Sequence, residues 1–220
     1  MELKRADNFV LFGEETIPET SVDLFQVRAD WFGRGPLWSG QATAYASLVF
    51  SPGGIGAYNS REDFALFRND SDPTYLYARL GGQWERPLAN DWALNLRGTA
   101  QLASGALIPT EQLGLGGHDT IRGYEERILL ADSGYSFSTE IHTPSFHFGN
   151  GLLENSSLHA LAFLDHGLGW REGEGTQSLT SLGLGLRLQV DDTATIRLDF
   201  GQALTSSNDL AVHGGLFFSF

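Results

Sequence analysis

The run Gly116-Gly117-His118-Asp119-Thr120-Ile121-Arg122-Gly123, followed by Tyr124, combines an arginine with flanking glycines in a long segment without strand character. A guanidinium is planar, stays charged, and can hold a carboxylate through two parallel hydrogen bonds. Gly116, Gly117 and Gly123 permit the tight, unusual backbone that a loop tip needs to aim such a side chain. The chemistry on offer is ionic recognition. Taken alone, the run reads equally as a glycine-rich turn with a surface arginine.

Other chemistries find no footing. The histidines at 118, 142, 147, 159, 166 and 213 lack a ligand spacing such as His-Glu-x-x-His, so no metal is expected. Gly183-Leu184-Gly185-Leu186 lies inside an alternating stretch instead of opening a helix, which excludes a dinucleotide loop. No Gly-x-Ser-x-Gly elbow occurs, so a serine hydrolase is unsupported. The sequence contains no cysteine and therefore neither a disulfide nor a thiolate site. A net charge of -13 without a basic cluster argues against nucleic acid as a partner. No catalytic residue and no cofactor are expected, and the chain does not read as an enzyme.

The elements that must carry the run alternate with period two. Trp92, Leu94, Leu96, Gly98, Ala100 and Leu102 share one face, with Asn95, Arg97, Thr99 and Gln101 on the other. Leu182, Leu184, Leu186, Leu188 and Val190 oppose Gly183, Gly185, Arg187 and Gln189. Ile196, Leu198 and Phe200 oppose Thr195, Arg197 and Asp199. Similar stretches near 22–31, 40–50, 74–85, 135–143, 157–167 and 211–220 bring the count to nine strands, and a weaker one near 4–13 makes a possible tenth. No run approaches the roughly 18 apolar residues of a spanning helix. Barrel strands are only half apolar, so a mean hydropathy of -0.16 does not speak against a membrane.

Three further features favour a transmembrane barrel over a soluble sandwich. Trp31, Trp38, Trp84, Trp92 and Trp170 fall at expected strand ends and in phase with the apolar faces, as an aromatic girdle would. Short connections near 32–37, 86–90 and 191–192 alternate with longer ones near 51–73, 103–134 and 169–179, as inner turns and outer loops do. The segment 51–72, with Pro52, Gly53, Gly54 and Gly56, reads as a mobile outer loop. Val212, Gly214, Leu216, Phe218 and Phe220 alternate outward to a terminal phenylalanine that resembles the sorting signal read by barrel-assembly machinery.

Residues 98–140 resemble a known family. Gly98-Thr99-Ala100-Gln101-Leu102-Ala103 leads to Thr110-Glu111-Gln112-Leu113-Gly114-Leu115-Gly116-Gly117. Thr120-Ile121-Arg122-Gly123-Tyr124-Glu125, Asp132-Ser133-Gly134 and Ser138-Thr139-Glu140 follow. This pattern is similar to that of two-partner secretion transporters, the haemolysin secretion/activation family of the BamA-like superfamily, with Ile121 in place of the usual valine. In that family the sixth outer loop folds into the barrel and its tip touches the inner wall, where a later strand carries Phe-x-Asp-x-Gly. Phe163-Leu164-Asp165-His166-Gly167 matches that strand. With Leu158, Ala160, Ala162 and Leu164 outward, Phe163, Asp165 and Gly167 face the lumen.

The resemblance implies an ion pair between Arg122 and Asp165, which the phase permits, and Glu140 is a plausible second acceptor. It also implies a sixteen-stranded antiparallel barrel with periplasmic POTRA domains. The present residues 1–220 match about the last nine or ten strands, with an inward loop at about 104–134 and no POTRA domain. The expected role is export of a secreted haemolysin- or adhesin-like partner across the outer membrane of a Gram-negative bacterium. Contacts with outer-membrane lipid, and with the assembly machinery during biogenesis, go with that role. Alternatives are assembly of other outer-membrane proteins, as in the BamA branch, a barrel anchoring a patatin-like lipase, or a bare pore.

Overall fold

A computed structural model describes residues 2–8, 11–12, 15–16, 20–148, 155–191, 193–205 and 209–218. Ten strands form the wall: β1 (Glu2–Asn8), β2 (Thr20–Leu37), β3 (Gly40–Pro52), β4 (Thr74–Pro87), β5 (Ala93–Ala103), β6 (Ser133–His142), β7 (Ser157–Arg171), β8 (Gly175–Val190), β9 (Ala194–Ala203) and β10 (Leu210–Phe218). Each pairs antiparallel with the next in chain order, so the sheet is a simple meander, and Phe146–His147 adds a short pairing to β7. Among the described residues β1 and β10 stand at the two ends of this order.

The alternation read from the sequence governs the two faces. Leu48, Leu76, Leu80, Leu102, Leu164, Leu184, Val212 and Leu216 are exposed on the outer, convex side. The opposite positions, Ser47, Gln101, Ser138, Asp165, Ser181 and Asp199, are buried on the side where the β5–β6 connection lies. That connection, residues 104–132, folds over the concave face. Its ends are held by a short antiparallel pair, Leu113–Leu115 with Leu129–Ala131.

Several boundaries differ from the sequence reading. The segment 32–37 continues β2, and the turn is the two residues Trp38 and Ser39, both at positive φ (46° and 62°), which suits the twist of a tight hairpin. Trp31 consequently lies inside β2, six residues from its end. Likewise 169–179 is not a long loop: the β7–β8 ladder extends from Trp170 and Arg171 to Gly175 and Thr176, leaving 172–174 as the turn. Backbone pairing is indifferent to side-chain polarity, so Thr176, Gln177 and Ser178 stay in the ladder although they break the apolar pattern. The segment 51–72 contains a helix, α1 (Arg61–Phe67), started by a capping box in which the Asp63 amide donates to Ser60 Oγ and the Ser60 amide to Asp63 Oδ2.

Trp31 (60% exposed) lies on the convex side with Trp92 and Trp170, Trp38 (79%) is exposed at the hairpin turn, and Trp84 is half-buried with its Nε1 donating to the Leu37 carbonyl at 2.8 Å. Phe218 is exposed on the same side in line with Leu210, Val212 and Leu216, and Phe220 lies outside the described residues. Single-tryptophan variants retaining Trp31 or Trp92 are expected to lose emission when the full-length protein is placed in bilayers with lipid-borne quenchers. Emission that stays constant for both would remove the girdle assignment.

Candidate functional site

Strand register builds the floor of the site. Across β6, β7, β8 and β9 the pairing sets Ser138 beside Asp165, then Ser181, then Ala203. The next row on the same face runs Glu140, Phe163, Gly183, Gly201, and the next His142, Leu161, Gly185, Asp199. Side chains two residues apart on one strand share a face, so these rows form one surface beneath the inward connection.

Arg122 lies on that surface with no exposed area, and Asp165 has none either. Its Nε donates to Asp165 Oδ2 and its Nη2 to Asp165 Oδ1, both at 2.7 Å, the bidentate fork that only arginine provides. The Arg122 backbone N–H adds a third bond to Oδ2 at 3.1 Å, and Ser138 Oγ donates to Oδ1 at 2.6 Å. Nη1 is 2.6 Å from Glu140 Oε1 and 3.4 Å from Asp199 Oδ1. Below the guanidinium, the Phe163 ring centroid is 3.5 Å away, a cation–π contact. Gly183 makes room for that ring: a Cβ there would fall 2.3 Å from Phe163 Cζ.

Asp199 extends the cluster. It accepts from Arg187 Nη2 at 2.9 Å and from Arg197 Nε at 2.5 Å, and Arg197 Nη2 donates to the His118 carbonyl at 3.1 Å. Arg122, Arg187 and Arg197 thus face Glu140, Asp165 and Asp199, and Arg97, opposite Ser138 in the register, brings a fourth guanidinium beside them. The enclosed carboxylates persist as anions only because each has a guanidinium partner. Removing one partner of such a pair costs about 3–5 kcal/mol.

The rest of the motif locks the tip in place. Gly116 and Gly117 sit at φ 102° and 97°, where a side chain is strained, and the Gly117 amide donates to the Ile121 carbonyl at 3.1 Å to close the turn. Ile121 is buried against Gly167, whose absent Cβ would be 3.0 Å from Ile121 Cδ1. Gly123 passes so near β9 that a Cβ on Gly201 would be 2.5 Å from the Gly123 amide nitrogen. That amide donates to His213 Nε2 on β10 at 3.1 Å. The Tyr124 hydroxyl lies 2.8 Å from the carbonyl oxygens of Thr180 and Thr205 and accepts the Thr205 amide at 3.1 Å.

All ten residues singled out for the tip and the wall are therefore gathered here, and the girdle tryptophans and Phe218 are not. Asp199, Ser138, Gly201 and His213 join them without having been proposed as partners. Their lumenal phase was readable from the alternation, but which lumenal residues meet the tip depends on register between strands that are far apart in sequence.

The haemolysin secretion/activation protein family ShlB/FhaC/HecB has a model that matches residues 1–188. Among solved structures, CdiB from Escherichia coli is similar, with a TM-score of 0.73 at 16% sequence identity over 93% of this chain and 39% of its own. At that identity the likeness concerns the fold. This chain spans well under half of that structure. No curated protein sequence matches.

Gly201→Ala is expected to push the tip off β9, because the clash is with backbone, and to raise protease cleavage within 104–132. Gly35→Ala, where a Cβ would meet nothing within 4 Å, is the control. Equal cleavage in the two variants would show that the close approach does not constrain the loop.

Proposed function

The chain belongs to the haemolysin secretion/activation family ShlB/FhaC/HecB, and on that premise we propose that it forms part of the wall of an outer-membrane transporter that exports a secreted partner protein. In this reading the Arg122 loop is a latch: held on Asp165, Glu140 and Asp199 it occupies the lumen, and its displacement opens a path for an unfolded polypeptide. The observation that carries the reading is the fully buried, bidentate Arg122–Asp165 pair joining a loop tip to the wall.

Physical considerations support a latch over a static brace. The ion pairs of the tip are concentrated on one guanidinium, so a displacement of Arg122 disconnects the loop from three carboxylates together, leaving the Ile121, Gly123 and Tyr124 contacts as the rest of the hold. The strand ladders do not depend on those contacts. The wall keeps its hydrogen bonds whichever position the loop adopts.

Residues 1–220 are proposed to be the C-terminal part of a larger barrel. The edge strands β1 and β10 would otherwise leave backbone N–H and C=O groups unpaired in lipid, at several kcal/mol each. Folding of the partner outside the cell would supply the driving force without a nucleotide. Contact with outer-membrane lipid along the convex side, and recognition of the last strand by the assembly machinery, belong to the same proposal.

In the full-length protein, Arg122→Ala and Asp165→Ala are each expected to cut partner secretion and to expose the loop to protease. The effect of Arg122→Ala should be the larger, since it also removes the partner of Glu140 and Asp199. If both variants secrete normally and resist protease as the parent does, the latch is wrong.

A further inference from the structure

The concave face carries a second closure, apart from Arg122, at the end of the sheet where residues 53–73 and 104–132 emerge. Its wall residues occupy positions where the period-two pattern would put polar groups. Val22 and Leu24 of β2, Val49 of β3, and Tyr75 and Tyr77 of β4 lie in phase with lumenal Gln26, Ser47 and Arg79. They are buried together with Phe64 of α1 and with Leu107 and Ile108 of the long connection. The tyrosine hydroxyls are satisfied inside this cluster, Tyr75 by Gln26 Nε2 at 2.6 Å and Tyr77 by donating to Glu111 Oε2 at 2.8 Å. Apolar side chains on the inner face are covered by a helix from an outer connection.

Two sets of contacts tie the cover down: an ion pair at one end, and at the other Asp23 of β2, whose Oδ2 accepts from the amides of Ala57 (2.8 Å) and Tyr58 (3.2 Å). Arg68, directly after α1, pairs with Asp132, both nearly fully buried, and donates to the carbonyls of Leu107 at 2.9 Å and Glu172 at 3.3 Å. Asp132 also accepts from the amides of Leu107 (2.9 Å) and Glu172 (2.8 Å) and from Gln112 Nε2 (3.0 Å). Three connections, 53–73, 104–132 and 172–174, meet at these two residues. Burial works against ionisation of Asp132, but the bonds from Arg68, Leu107, Glu172 and Gln112 outweigh it and hold the carboxyl below the ordinary range, so it is charged at neutral pH.

The cover is built to move as a unit. A helix of seven residues is too short to persist alone, so α1 depends on Phe64 and on the Arg68 anchor. On one side it is joined to β3 through Gly53, Gly54 and Gly56, all at positive φ (71°, 69° and 121°), and on the other Asp70 is also left-handed (φ 67°). Releasing the Arg68 anchor and the Asp23 bonds would free the segment without breaking a rung of the β3–β4 ladder. We propose that residues 57–70 are a hinged lid over the outer end of the lumen, locked by the Arg68–Asp132 pair together with the Asp23 bonds, and opened separately from the Arg122 latch during export. The role in export rests on the proposed function; the lid itself does not.

Residues 1–220 contain no cysteine, so a thiol pair placed here has no competing partner within this segment. The Asp23 amide donates to the Tyr58 carbonyl at 2.9 Å, so the two backbones are neighbours and Asp23→Cys with Tyr58→Cys serves as a cross-link between β2 and the lid, its formation checked by mass, with Asp23→Ala plus Tyr58→Ala as the control for the lost carboxylate. In the full-length protein the oxidised pair is expected to secrete about tenfold less partner than the same protein after reduction, a population shift of ordinary size for a locked segment. In planar bilayers it should open less often before reduction than after, and Arg68→Ala should open more often than the parent. A fully formed disulfide with secretion and conductance unchanged by reduction overturns the lid. If the parent protein exports no partner, the export reading fails and conductance alone decides the lid: more frequent opening on reduction supports it, and no change overturns it.

Discussion

A bidentate ion pair with no exposed surface constrains everything around it. Arg122 and Asp165 come from segments 43 residues apart, a loop tip and the middle of β7. Neither charge could be enclosed without the other, because the cost of stripping water from an isolated ion exceeds what packing returns. The pair needs β6, β7, β8 and β9 in their observed register, so that Ser138, Glu140 and Asp199 complete the donors and acceptors. It also needs the glycines at 183 and 201, which leave space for the Phe163 ring and for the Gly123 backbone. A sheet slipped by one residue would turn every one of these groups to the convex side.

The wall and the loop are held by different physics, which is why one can stay while the other moves. Strand ladders are long, local in sequence and satisfied by backbone alone, as the fifteen pairs from Ser157↔Gln189 to Arg171↔Gly175 illustrate. The loop hangs on contacts made at discrete points: the Arg122 fork, the Tyr124 hydroxyl, the Gly123 amide, Asp132 at its base, and an apolar cluster of Leu113, Leu115, Ile121 and Leu129 with Leu179 and Ala203 of the wall. Loss of any one of those is concentrated, and loss of one ladder bond is not. The outer end of the concave face adds an apolar contact, Phe64 against β2, β3 and β4, to this set of discrete anchors.

The strands, their faces and their order were legible without the structure because period two is written into every segment and a meander requires only neighbours to pair. The tip and its Asp165 partner were legible through resemblance, with phase as an independent check. The departures have two causes. Trp31 was placed at a strand end and 169–179 in a loop because polar or glycine residues interrupt the pattern there, yet backbone bonding runs on through them. The helix Arg61–Phe67 was missed because seven residues in a glycine-rich stretch carry too few turns for a periodic signal, although Ser60 and Asp63 formed a readable cap.

By itself, then, the sequence determined which residues face the lumen, since side-chain direction along a strand is local and strictly alternating. It also determined that Arg122 sits on a segment able to turn inward. Only the tertiary structure decided which lumenal residues meet it, because Asp199 and His213, 77 and 91 residues beyond the tip, reach the site through successive strand registers. The same holds for Arg68 and Asp132, 64 residues apart. An ion pair between connections is set by how the sheet curls and where each loop lands, and no pattern within either loop encodes that.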